Sequence, residues 1–106
     1  MNIEELREKY KKLVLVSDFK TAQEKAEKYL GKDALLKLSG EKNKKYQVLN
    51  PETGKYVSFG DIRYEDYTHH KDPARRRRYL QRATKMKGDW KDNKYSANNL
   101  SINILW

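Results

Sequence analysis

The chain is 106 residues long and carries 24 Lys or Arg against 15 Asp or Glu, a formal net charge of +9. That length suits one domain and leaves little room for a second independent core. The absence of Cys excludes disulfides, thiolate metal sites and thiol catalysis, and no apolar run approaches the ~20 residues of a membrane span, so no membrane partner is expected. Mean hydropathy is −1.12, yet twelve aromatic residues provide enough to pack, and the expectation is a small core with mobile edges. Met1 leads into charged sequence without the apolar stretch of a signal peptide, so secretion is not expected.

Asn2 reads as a helix cap, followed by Ile3, Leu6, Tyr10, Leu13 and Val14 at spacings of three and four, which predicts an amphipathic helix over residues 3 to about 14. Acids in its first half (Glu4, Glu5, Glu8) and bases in its second (Lys11, Lys12) match the helix dipole. The run Leu13 to Val16 also fits a short strand. Ser17-Asp18 caps a second helix with Phe19, Ala22, Ala26, Tyr29 and Leu30 on one face and Gly31 at its end. Residues 1–40 thus form an N-terminal helical segment, and residues 41–106 the remaining core of what is expected to be one compact domain.

From Asp33 the pattern shifts toward period two, and Ala34 to Ser39 fits a strand or a short helix. Tyr46-Gln47-Val48-Leu49 and Tyr56-Val57-Ser58-Phe59 flank Asn50 to Lys55, which contains the Pro and Gly of a tight turn, so a hairpin is predicted over 46–59. Asp61 or Asp66 begins a short helical turn carrying Tyr64 and Tyr67. Asp72-Pro73 then opens a helix expected to run to about Lys87, before Gly88, since the carboxylate accepts from free amides and proline presets φ. At the end of the chain, Ser96 caps a short helix, or Leu100, Ile102 and Ile104 alternate as a strand. Either way the apolar end is expected to pack, or Trp106 to anchor a partner.

The helix after Pro73 dominates the charge. Between Lys71 and Lys87 eight Lys or Arg face a single acid, Asp72. Arg75, Arg78, Arg82 and Lys85 form one stripe, while Arg76, Leu80, Ala83 and Met86 share another side with Tyr79 beside them. Like charges three or four apart repel by a few tenths of a kcal/mol each unless an anion screens them. Glu65, Asp66, Asp61 and Asp89 are the acids available to neutralise the stripe within the fold. A polyanion is the alternative partner, since neutralising phosphates releases counterions.

Catalytic signatures are missing: no Walker loop, no Gly-x-Ser-x-Gly and no dinucleotide fingerprint. His69-His70 near Asp66 and Asp72 is the one place where imidazole meets carboxylate, but adjacent residues point to different faces and no third ligand follows at a recognisable spacing. No enzyme activity, metal or cofactor is expected.

The succession Val57-Ser58-Phe59-Gly60, then Tyr64-Glu65-Asp66-Tyr67-Thr68-His69-His70-Lys71-Asp72, an Arg-rich helix, Gly88-Asp89-Trp90 and a terminal Leu105-Trp106 resembles a family of short basic proteins of uncharacterised function encoded by giant nucleocytoplasmic DNA viruses and some phages, over about residues 42–106. The resemblance implies a viral protein of the virion or of the host cytoplasm or nucleus, and it transfers no catalytic residues.

The fold expected is α+β, a small antiparallel sheet centred on the 46–59 hairpin with N-terminal helices and the arginine helix packed across the sheet. The function expected is sequence-independent nucleic-acid binding, DNA or RNA, in genome packaging or virion structure. Arg75, Arg78, Arg82 and Lys85 would contact phosphates, with Arg76 and Arg77 on the same helix and Lys44, Lys45, Lys91 and Lys94 extending the footprint. The competing reading is a virion assembly protein that docks acidic protein surfaces, with Trp106 or the N-terminal helices as the partner-binding element.

Overall fold

A computed structural model describes residues 1–106. The elements in chain order are α1 (Ile3–Leu13), α2 (Phe19–Leu30), β1 (Lys37–Leu38), β2 (Lys44–Asn50), β3 (Lys55–Asp61), α3 (Tyr67–His70), α4 (Pro73–Ala83), a 3-10 turn (Asp89–Asp92), and α5 (Ala97–Leu100), which continues as a π-helical segment (Ser101–Leu105). The fold is α+β, and its antiparallel sheet has the order β1-β2-β3.

Local chemistry sets most of the helix starts. The Asn2 side chain accepts from the amide of Glu5 at 2.9 Å, Asp66 caps α3, Asp72 caps α4 and Ser96 caps α5. The hairpin pairs Tyr46 with Phe59 and Val48 with Val57, and β1 adds Leu38 beside Tyr46. Tyr46, Val48 and Phe59 are buried together with Leu13, Ala22, Ala26, Leu36, Ile62, Leu100, Ile104 and Leu105 in one cluster. Each large side chain in it contributes about 1.5–3 kcal/mol from burial. Leu13, Ala22 and Ala26 make the N-terminal helices part of this core.

Three expectations are corrected. The Arg-rich helix is not laid across the sheet; α5 and the π-helical segment pack on β3, and α2 packs on the π-helical segment. The same helix stops at Ala83, a full turn before Gly88, with Thr84 as its C-cap. The apolar face foreseen for α1 is also mostly exposed: Ile3, Leu6, Tyr10 and Val14 face solvent. Beside Leu13 the helix buries Lys9, whose ammonium donates to the carbonyls of Ser39 at 2.7 Å and of Glu41. Burial lowers its pKa from the lysine value, and Glu41 opposes the shift.

Segments whose character the sequence left open are settled by the backbone, and within Ala34 to Ser39 the residues Lys37–Leu38 form a strand rather than a helix. Val14 to Val16 form a turn rather than a strand, and the chain end is helical rather than extended.

One buried polar chain ties these parts together. The Tyr46 hydroxyl donates to Ser17 Oγ at 2.8 Å, Ser17 and Thr68 hydroxyls are 3.3 Å apart, and Thr68 Oγ1 donates to Asp66 Oδ1. Because Thr68 spends its proton on Asp66, Ser17 must donate to Thr68, so the chain runs in one direction and ends on a carboxylate. Asp66 Oδ2 accepts from Lys45 Nζ at 2.9 Å, with both side chains buried.

Candidate nucleic-acid interface

The position of α4 follows from the corner that precedes it. Lys71, at φ +55°, takes the left-handed conformation that ends α3. His70 Nδ1 then accepts from the Asp72 amide at 2.9 Å, and Asp72 Oδ1 accepts from the amides of Ala74 at 2.9 Å and Arg75 at 3.3 Å. These backbone donors hold the Asp72 carboxyl below its ordinary pKa. The far side of α4 is fixed by Tyr79, whose ring lies on Trp106, and by Asn98, whose side-chain amide donates to the Ala83 carbonyl at 3.0 Å.

With its axis held this way, α4 directs Arg75, Arg78 and Arg82 into one groove of about 650 Å³. Lys44 and Asp61 at the edge of the hairpin, Tyr64 and Glu65 from the following loop, and the Leu105–Trp106 end complete its walls. Tyr64 is 65% exposed, with the Arg63 guanidinium 5.9 Å from the centre of its ring. Arg75 lies 3.7 Å from Glu65, and Glu65 also meets Nδ1 of His69 at 2.8 Å. The His69 hydrogen bond and Arg75 keep the Glu65 carboxyl below the usual range. Asp61 is committed to Arg63 at 2.8 Å and Asp66 to Lys45. No carboxylate lies within ion-pair distance of Arg78 or Arg82. Asp61 and Asp66 are thus spent elsewhere, Asp89 pairs with no cation, and the stripe keeps a single contact, from Glu65 to Arg75.

The other cations foreseen for the site are distributed differently. Lys85 follows the end of α4 and is exposed outside the groove. Arg76 and Arg77 line a separate shallow depression with Tyr67, Leu80 and Gln81. Arg76 Nε donates to the Trp106 carbonyl at 2.7 Å, and its guanidinium lies 5.5 Å from the centre of the Tyr67 ring. Lys91 rests over Trp90 and Lys94 over Tyr29.

Lys45 is a correction. It is 2% exposed and its ammonium is held by Asp66, so it cannot reach a phosphate on the surface. Burial lowers its pKa and Asp66 opposes that shift. Nothing local in the sequence distinguishes Lys45 from Lys44; the difference arises because Lys45 lies across from Gly60 on β3, where the lack of a side chain lets its stem pass. Trp106 packs within the molecule, half-buried between Tyr79 and His70.

Residues 34–83 match the model of a family described as "Family of unknown function (DUF5754)". The matched stretch runs from the approach to β1 through the whole sheet, α3 and α4, so it contains all three groove arginines. It overlaps the resemblance drawn from the sequence over residues 42–83, and the family's description carries neither origin nor activity. No curated protein and no solved structure matches the chain.

Proposed function

We propose that the chain binds the phosphate backbone of nucleic acid without reading sequence, through the groove formed by α4 and the hairpin edge. The observation that carries this reading is the convergence of Arg75, Arg78, Arg82 and Lys44 on one groove in which Arg78 and Arg82 have no carboxylate partner. Guanidinium groups on a rigid helix present their donors to phosphate oxygens at little ordering cost. Nothing in the groove has the arrangement needed to read base edges, in which a helix or ribbon presents bidentate side chains in a major groove. The setting we propose, genome packaging or virion structure, rests on the resemblance to short basic viral proteins.

The test is binding to labelled double- and single-stranded DNA and RNA of several sequences across ~50 to 300 mM salt, where the log-log slope counts neutralised phosphates. We expect a slope of roughly three to four phosphates on every sequence, one per groove cation. Arg75→Glu/Arg78→Glu/Arg82→Glu should abolish binding with an unchanged fold, whereas Arg77→Gln, outside the groove, should retain most of it. Unaltered binding by the triple variant would rule out the groove.

A further inference from the structure

The surface of α1 carries information that the cationic groove does not use. Ile3, Leu6, Tyr10 and Val14 follow one another at spacings of three, four and four and so form a single stripe. All four are exposed, while Lys9 and Leu13 on the adjoining face are the residues buried against the body of the protein. Past the helix, Phe19 is 48% exposed and joins Tyr10 and Val14 around a concavity of about 380 Å³. A contiguous apolar stripe next to a hollow marks an interaction surface rather than scattered exposure.

The charges beside the stripe indicate what covers it. Glu4 and Glu5 occupy the first turn of α1, and Lys11 and Lys12 the last. Two copies of α1 packed antiparallel about a twofold axis place Ile3 over Val14 of the second copy and Leu6 over Tyr10. The same register brings the acidic first turn of one copy, Glu4 and Glu5, against the basic last turn of the other, Lys11 and Lys12, twice by symmetry. A parallel pair would instead set the two acidic first turns side by side and likewise the two basic last turns. Ile3 of the second copy would then sit over Val14 at the mouth of the concavity, a knob meeting a hollow on the same patch, as an isologous interface requires.

We infer that the protein forms a symmetric dimer through antiparallel pairing of α1 with a second copy of itself. The helix is only ~16 Å long at 1.5 Å per residue. Such a contact falls below the ~1,200 Å² of a standard interface, so the dimer is a weak and reversible one. It leaves the groove of α4 free, and its test does not depend on nucleic-acid binding.

Sedimentation velocity of the full chain from roughly 10 μM to 1 mM covers the affinity range of interfaces this small. The expected result is a concentration-dependent monomer–dimer equilibrium that Leu6→Glu weakens at least tenfold. Tyr10→Lys, at a more exposed position, should do the same and serves if the first variant fails to fold. Glu4→Lys and Lys11→Glu should each weaken association, and the double variant Glu4→Lys/Lys11→Glu should restore it, since the charges of the two facing turns are then exchanged together. A chain that stays monomeric to the highest concentration overturns the proposal and leaves the stripe to a different protein. A dimer indifferent to Leu6→Glu and Tyr10→Lys, or a double variant no better than the single ones, overturns it as well.

Discussion

Tyr79 and Trp106 stack face to face, with ring centroids 4.1 Å apart and planes 8° from parallel. The contact joins the middle of α4 to the last residue of the chain, and Arg76 reinforces it by donating to the Trp106 carbonyl. The chain end therefore acts as the brace that holds the cationic helix in place.

From this brace comes the first prediction. Trp106→Ala removes no charge, yet it should lower polyanion affinity several-fold by letting α4 move. It should also cost about 2–4 kcal/mol in a urea melt, because a half-buried indole and its stacking partner are lost together. Binding at parental strength in a variant confirmed to be destabilised would show that α4 is held without Trp106.

Gly60 lies on β3 at φ +79°, where a Cβ would stand 2.8 Å from Leu105 Cδ1 and 3.2 Å from the Cβ of Lys45. Leu105 can shift at its end, but the Lys45 stem is held by Asp66. Gly60→Ala should therefore destabilise by about 1–3 kcal/mol through both the left-handed backbone and the overlap. Chemical denaturation checks this, and a neutral result would mean that the strand relaxes there at no cost.

The Lys45–Asp66 pair should respond asymmetrically. Removing Lys45 leaves Asp66 with the amide and hydroxyl of Thr68 as donors, whereas removing Asp66 leaves the buried ammonium with no partner. Asp66→Ala should cost roughly 3–5 kcal/mol and Lys45→Met clearly less, while the double variant should cost less than the sum. Equal single-variant costs would argue against this division of the hydrogen bonds.

Acid should weaken the fold, and His70 should supply the first part of the loss. Its pKa lies below the ordinary 6.5, chiefly through burial and then Arg75, with Glu65, Asp66 and Asp72 pulling the other way. A depressed histidine pKa means that the unfolded chain takes up the proton first, so stability is complete above pH 6.5 and falls as pH drops toward the folded value. Protonating Nδ1 also removes the acceptor of the Asp72 amide. Asp72 and Glu65, both held low, add loss of the same sign further down. Urea midpoints between pH 7.5 and 4 should decline for the parent, and His70→Gln should flatten the upper part of that decline; identical profiles would remove His70 from the account.

Elements governed by neighbouring residues were legible in the sequence. Asn2, Asp66, Asp72 and Ser96 cap helices through contacts two or three residues away, and the hairpin is specified by its own turn and alternation. What depended on distant partners was not. The helix begun at Pro73 has a natural stop at Gly88, but it ends at Ala83, and Met86 beyond it is 55% exposed. The carbonyls freed there are taken by side chains from later in the chain, Ala83 by Asn98 and Met86 by the Trp90 indole at 2.7 Å. The arginine stripe itself could be read from spacing, whereas the groove that receives it required Tyr64, Lys44 and the chain end to meet in space. Lys45 reads as a surface lysine and nothing marks Lys9 for burial, because their partners, Asp66 and the Ser39 and Glu41 carbonyls, lie 21 to 32 residues away.

The hydroxyl chain from Tyr46 through Ser17 and Thr68 to Asp66 has a consequence for how the molecule opens. The Thr68 hydroxyl also accepts from the Asp18 amide, and the Asp66 amide donates to the Val16 carbonyl. The junction of α1 and α2, the central strand and the corner before α4 are therefore fastened at a single knot. Amides of Asp18, Asp66 and Thr68 should thus exchange with solvent as one cooperative unit, since neither the N-terminal helices nor the corner can open without breaking hydrogen bonds of the same knot.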